Sequence, residues 1–111
     1  MISDKTFYIA IAKNKETGKI GHLAIDHLFD DKIYMTENSN HTYYEAYGTV
    51  CRIRDMAVKK YMDKYEDIKT IAITISFNTE TLIAETNTRV IWDSNNEEDL
   101  RTALADRVEV K

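Results

Sequence analysis

Hydrophobic and polar positions alternate along the first third of the chain in a pattern that predicts three strands. Residues 5–13 carry apolar side chains on both faces, which indicates an interior strand covered on both sides or a strand with a small-residue outer face. A turn at residues 14–18 leads into a second strand at 19–28, and a short third strand follows at 32–36. The short connections predict an antiparallel three-stranded meander.

The pattern then changes to apolar residues spaced by three and four, which is typical of a helix packed on a sheet. This spacing extends to about Glu66. Thr42 is followed three residues later by Glu45, an arrangement in which each side chain satisfies a backbone donor at a helix start. The sequence therefore predicts one long helix that begins near Thr42 and ends near Glu66.

The last third returns to alternation and ends in a second helical segment. Residues 69–77 alternate isoleucine or phenylalanine with small residues and predict a fourth strand. Residues 78–86 fit either a short helix or the start of a hairpin strand, and 88–92 are strand-like. A second capping-box pattern at 94–97 opens a helix to about residue 107.

These segments predict an α+β fold in the order β-β-β-α-β-(α or β)-β-α, with the long helix packed on a mixed sheet. A length of 111 residues, with 43% hydrophobic and 31% charged residues, indicates a single domain, residues 1–111. The one cysteine, Cys51, excludes an intramolecular disulfide, and this favours a cytoplasmic protein. No apolar run approaches the roughly 20 residues needed to span a membrane.

Charge is unevenly placed and bears on the class of partner. Residues 1–79 contain 11 acidic and 11 basic side chains, whereas residues 80–111 contain 8 acidic and 4 basic. The net charge of −4 therefore arises in the last third of the chain. Binding to a phosphate backbone relies on clustered Lys and Arg, so this distribution makes nucleic acid a less favoured partner than protein.

The candidate binding residues lie along the predicted long helix. Arg54 falls within its apolar sector, where a guanidinium needs a carboxylate, backbone carbonyls or stacking aromatic rings. Five of the seven tyrosines of the chain lie on the same segment, and Tyr and Arg are residue types that anchor protein interfaces. One interpretation is a snorkelling or salt-bridged arginine beside core tyrosines. The other is an exposed aromatic-arginine surface formed by Tyr43, Tyr47, Arg54, Tyr61 and Tyr65.

The absence of recognisable catalytic and cofactor-binding motifs favours a non-enzymatic protein without a cofactor. No phosphate-binding loop, zinc-ligand spacing, nucleophile elbow or dinucleotide fingerprint occurs in the sequence. The first hypothesis is therefore a small acidic binding module, with an accessory, regulatory or inhibitory role, that binds a partner protein or a second copy of itself. Another hypothesis is a small-ligand site between helix and sheet, lined by Tyr8, Tyr34 and Arg54.

The inferred order of strands and helices resembles the ribonuclease H-like fold. The resemblance would make Glu45 the catalytic glutamate of the first helix and Asp99 the final metal-binding aspartate, and Asn78 stands where a catalytic aspartate is expected. Residues 7–12 of the first strand contain no aspartate. Two-metal catalysis needs several converging carboxylates, so the resemblance implies a degenerate domain that binds nucleic acid as the alternative function.

Overall fold

The described part of the chain contains five strands and two helices. The computed structural model describes residues 1–26, 32–36 and 42–104. The elements are β1 (Ile2–Asn14), β2 (Ile20–Asp26), β3 (Lys32–Thr36), α1 (Tyr47–Lys60), β4 (Tyr65–Asn78), β5 (Ile83–Asp93) and α2 (Glu97–Leu104).

The strands form one sheet in the order β3-β2-β1-β4-β5. All four pairings are antiparallel. The α+β class and the N-terminal meander are therefore confirmed, but the sheet described is antiparallel where the sequence predicted a mixed one. The described strands form no parallel pair, because α1 and the turn after it reverse the chain before β4. Strand β4 therefore runs beside β1 in the opposite direction. The resemblance to the ribonuclease H-like fold is not confirmed.

The longest ladder joins the central strand β1 to its neighbour β4. It extends from the pair Ile2 and Asn78 to the pair Asn14 and Tyr65. The register shifts between Ile11 and Lys13, and Asp67 on β4 takes a positive φ of 52° at the irregularity. Since β4 already begins at Tyr65, the predicted extension of the helix to residue 66 is wrong.

Helix α1 packs on the small-residue face of the sheet rather than on its isoleucine face. Ala10, Thr70 and Ala72 are fully buried beneath it, and Ala10 joins the same core cluster as Ile53 and Ala57 of α1. Small side chains let a helix approach the sheet backbone closely, so they suit the inner face. The small-residue face is therefore the covered one, contrary to one of the two predicted arrangements.

The start of α1 also differs from the prediction. Thr42 is buried, and its hydroxyl lies 3.0 Å from Nδ1 of His22, so it does not cap a helix. Tyr44 pairs with Tyr8 of β1 through two backbone hydrogen bonds of 2.7 and 2.9 Å. Glu45 instead contacts a lysine of β1. Pairing with β1 competes with helix formation here, and α1 begins five residues later than Thr42, at Tyr47.

The ambiguous segment after β4 is a hairpin. The Asn78 side chain accepts hydrogen bonds from the backbone of Glu80 and Thr81, which fixes the turn. Leu82 has a positive φ of 61° immediately before β5. Residues 83–86 are therefore strand, and β5 begins five residues earlier than the strand predicted at 88–92.

Helix α2 is the last element of the described chain and packs against the end of β5. Its cap is Asn96, whose Oδ1 accepts a hydrogen bond from the Asp99 backbone, and not Ser94 as the capping-box pattern predicted. Ser94 is buried, and its Oγ accepts a hydrogen bond from the Ile68 backbone at 2.9 Å. The predicted end of this helix near residue 107 lies outside the described residues. Neither of the two described helices has the length and apolar character that crossing a bilayer requires.

Candidate functional site

The five residues of the predicted aromatic-arginine surface do not share one environment. Tyr61 is half-buried and Tyr65 is buried, whereas Tyr43 and Tyr47 are exposed and Arg54 is only 6% exposed. Only two of the five, Tyr47 and Arg54, belong to α1. The structure therefore separates the set into a core pair, an exposed tyrosine before α1 and a pair on α1.

Tyr61 and Tyr65 contribute to the core at the end of α1. Their ring centres lie 6.2 Å apart. The Tyr61 hydroxyl accepts a hydrogen bond from the backbone of Ile33 at 3.4 Å, which connects the end of α1 to the edge strand β3. For these two residues the core interpretation describes their position better than the surface interpretation.

Tyr43 and Tyr47 are the exposed tyrosines of the set, at 48% and 47%. The ring of Tyr43 lies 5.6 Å from that of His22, before α1 begins. The ring of Tyr47 lies 5.3 Å from that of Tyr8 on β1. The two side chains thus have equal exposure but different neighbours, and only Tyr47 is beside Arg54.

Arg54 is held between a carboxylate and an aromatic ring. Its Nε donates to Oδ1 of Asp55 at 3.0 Å, and its guanidinium carbon lies 5.2 Å from the centre of the Trp92 ring. Burial disfavours the charge of Arg54, but the hydrogen bond and charge of Asp55 outweigh it, so the pKa of Arg54 is raised. The guanidinium therefore stays charged, and it lies over the Trp92 ring at a distance typical of a cation–π contact.

An open groove of about 760 Å³ lies beside this arginine, between the two helices and the end of β5. We call it the α1–α2 groove. Its lining includes Tyr47, Cys51, Arg54, Asp55, Trp92 and Thr102.

Tyr47 stands at this groove in contact with other polar groups. Its pKa is raised above the usual 10.0, chiefly by a hydrogen bond with the thiol of Cys51 and also by burial, while Arg54 opposes the shift. The phenol therefore remains protonated at neutral pH. A protonated phenol can both donate and accept a hydrogen bond, and its ring offers an apolar surface to a ligand.

Trp92 is the residue that the sequence analysis missed. It is the only tryptophan of the chain, is 4% exposed, and donates a hydrogen bond from Nε1 to the backbone carbonyl of Asp99 at 2.8 Å. Asp99 also accepts from the backbone of Asp93 at 3.0 Å. The detectable signal was a lone tryptophan four residues before the cap of a helix. Its contact with Arg54 depends on the β4–β5 hairpin and could not be read from spacing.

The residues of the other two hypotheses are dispersed. Tyr34 is exposed on the edge strand β3, while Arg54 contacts Trp92 on β5 at the opposite edge, so the predicted ligand site lined by Tyr8, Tyr34 and Arg54 is not assembled. Tyr8 lies on β1, the central strand.

Glu45 and Asp99, the metal-binding residues implied by the resemblance, are also apart. Glu45 forms an ion pair with Lys5 of β1 at 3.0 Å. Asp99 instead accepts a hydrogen bond from the backbone of Asp93. Asp93 pairs with Lys69 of β4, which pairs in turn with Ile11 of β1. Positions 5 and 11 of one strand are roughly 20 Å apart. Within the described ranges, no group of three or more His, Cys, Asp or Glu side chains is placed to hold a metal ion.

Comparisons with protein-family models, with curated proteins and with solved structures find no match to this chain.

Proposed function

We propose that this chain is a small non-enzymatic binding module that holds a segment of a partner protein in the α1–α2 groove. The observation that carries the proposal is an exposed tyrosine, Tyr47, beside a buried arginine, Arg54, which lies over the Trp92 ring at an open groove of about 760 Å³. Tyrosine and arginine are enriched among the residues that dominate binding energy at protein interfaces. Arg54 is already held in place by Asp55 and Trp92, so binding would cost it little conformational entropy.

The charges of the groove indicate the chemistry of the segment. Three cationic side chains, Arg52, Arg54 and Lys59, line it together with two carboxylates, Asp55 and Asp99. The groove is thus net cationic by one charge, in a chain whose net charge is −4. We therefore expect a partner segment that presents a carboxylate next to an aromatic or aliphatic side chain. An accessory, regulatory or inhibitory role is consistent with masking such a segment.

The proposal can be tested with a random peptide library displayed on phage and selected on the immobilised protein. The selected peptides should be acidic and aromatic, and purified peptide should change the fluorescence of Trp92, because the only tryptophan of the chain lines the groove. Tyr47→Ala should weaken binding by about 10- to 30-fold, the range expected for a residue that contributes roughly 1.4–2 kcal/mol.

The matched control is Tyr43→Ala, because Tyr43 is as exposed as Tyr47 but does not line the groove. This variant should bind the selected peptides with unchanged affinity. The same pair of variants then identifies a physiological partner: a protein bound by the Tyr43→Ala chain and lost by the Tyr47→Ala chain uses the groove. Peptides that lose affinity equally in both variants, or that leave Trp92 fluorescence unchanged, would contradict the proposal.

Binding to nucleic acid, the alternative from the resemblance, is tested separately. Fluorescence anisotropy of a labelled RNA–DNA hybrid at low salt, with and without Mg²⁺, should show no binding that weakens steeply with salt. Lys59, Lys60 and Lys64 are the cations on and after α1 that would carry such binding. Tight binding that disappears when these three lysines are replaced by glutamate would favour nucleic acid over a partner protein.

A further inference from the structure

The outer edge of β5 is the longest exposed strand edge in the described residues. β5 is the last strand in the order of the sheet, and within residues 1–26, 32–36 and 42–104 it pairs only with β4. Residues 83–90 are all exposed, whereas Trp92 near the end of the strand is buried. The other edge strand, β3, has five residues. An exposed edge of this length presents a row of unpaired backbone donors and acceptors, which is a template for another strand.

The charges on β5 are arranged symmetrically about one residue. Glu85 lies two positions before Asn87 and Arg89 two positions after it. All three lie on the face of the sheet that α1 occupies, because Arg89 is in register with Ala72. Charges on an edge strand usually discourage pairing. Opposite charges at equal distances from a centre instead complement each other when the strand meets an antiparallel copy of itself.

We propose that two copies of this chain associate by antiparallel pairing of their β5 strands, with a two-fold axis through Asn87 perpendicular to the sheet. Each Glu85 then stands directly opposite Arg89 of the second copy, and the pair occurs twice. On the other face, Ala84 meets Val90 and Thr86 meets Thr88. Val90 is 53% exposed in the single chain, so the pairing also covers apolar surface.

Only the pairing register with the two-fold axis through Asn87 places Glu85 opposite Arg89 of the second copy. A two-fold axis through position 86 would place Glu85 opposite Asn87, and an axis through position 88 would place Arg89 opposite Asn87. Neither alternative joins opposite charges. An axis that falls between two residues would bring side chains from opposite faces together, which the pleat of the strands does not allow.

The resulting contact joins two five-stranded sheets into one continuous sheet. Seven residue pairs, from position 84 to position 90, form about six to eight backbone hydrogen bonds. The irregularity of β5 between Val90 and Trp92 ends the pairing on one side, and the turn at Leu82 ends it on the other. The second copy is favoured over a foreign strand because the complementary charges are already present in this sequence.

Sedimentation velocity over a concentration series tests the proposal. The wild-type chain should sediment as a dimer at high concentration and dissociate on dilution. Glu85→Arg and Arg89→Glu each place like charges opposite each other twice, and each should raise the dimer Kd by about 30-fold or more. An equimolar mixture of the two variants should restore association, because every facing pair in the heterodimer is again of opposite sign.

Glu16→Arg is the control, since it makes the same charge change in an exposed turn away from β5. It should leave the dimer unchanged. Circular dichroism of each variant separates loss of pairing from loss of folding, and recovery in the mixture would itself show that both chains are folded. A wild-type chain that stays monomeric at every concentration overturns the proposal. So does a dimer that both single reversals leave intact, or a mixture that does not recover. Peptide binding in the α1–α2 groove is measured by a different signal, so either proposal can fail alone.

Discussion

Thr70 carries a buried hydroxyl with no hydrogen-bond partner among the described residues. It lies on β4 between Ala10 and Trp92 in register, beneath α1, and is 0% exposed. Burying a hydroxyl without a partner costs about 1–3 kcal/mol, because its hydrogen bonds to water are lost without replacement. Valine has nearly the same shape and favours strands at least as strongly as threonine.

We therefore expect Thr70→Val to raise the free energy of unfolding by about 1–2 kcal/mol. For a chain of this size the corresponding rise in Tm is roughly 4–8 °C. Urea denaturation followed by the fluorescence of Trp92 measures the first quantity, and thermal melting followed by circular dichroism measures the second. The slope of the denaturation curve should not change, because the surface exposed on unfolding is the same.

Thr74→Val is the matched control, on the same strand and the same face. The Thr74 hydroxyl lies 3.0 Å from that of Thr6, so this substitution removes a hydrogen bond and should lower stability by about 0.5–1.5 kcal/mol. Opposite signs at two threonines four residues apart would attribute the effects to hydrogen bonding rather than to strand preference. If Thr70→Val destabilises the protein as Thr74→Val does, the Thr70 hydroxyl has a partner and the reasoning is refuted.

Three further predictions concern a buried serine, two glycines and a partly buried histidine. Ser94→Ala should lower the free energy of unfolding by about 1–3 kcal/mol in urea denaturation, because it leaves the Ile68 backbone N–H buried without its acceptor; a loss below about 0.5 kcal/mol would contradict this. Gly21→Ala should lower the free energy of unfolding by about 1–3 kcal/mol, because an added Cβ would lie 2.7 Å from a methionine side chain on β3 and overpack the core. The Cβ added by Gly48→Ala meets nothing within 4 Å, so this variant should stabilise α1 by about 0.5 kcal/mol. Equal Tm shifts in the two variants would exclude this explanation. Burial lowers the pKa of His22 below 6.5, so the unfolded state takes up this proton first and stability should fall as pH drops through about 6.5 towards the folded pKa. The stability difference between wild type and His22→Gln, measured from pH 8 to pH 5, should show that fall, and a difference independent of pH would disprove it.

Local sequence patterns predicted a strand correctly where one interaction dominates a segment. The period-two alternation located β3 at Lys32–Thr36 and placed residues 69–77 in a strand. The pattern failed around residues 42–46, where the capping-box sequence favours a helix. There the backbone of Tyr44 pairs with Tyr8, which lies 36 residues earlier, and local propensity is a weak prior against such pairing.

The candidate site was predictable only in part. Arg54 was identified from its position in the apolar sector of a helix, and the requirement for a carboxylate or an aromatic ring followed from its charge. Asp55 is the next residue, yet Trp92 is 38 residues away and reaches Arg54 only because the hairpin returns β5 to the sheet. The separation of Tyr47 from Tyr61 and Tyr65 likewise depends on where α1 ends, which its spacing did not reveal.

The irregularity between Val90 and Trp92 divides β5 into two parts with different surroundings. Before it the strand edge is exposed, and after it Trp92 and α2 form a wall of the α1–α2 groove. Asn87 and Trp92 are five residues apart, roughly 16 Å, so substitutions at the two surfaces should have additive effects on stability.

A two-fold axis perpendicular to the sheet keeps both copies of α1 on the same face. The proposed dimer would therefore present two α1–α2 grooves on one side, and a partner with two acidic segments would bind it more tightly than the monomeric Glu85→Arg variant.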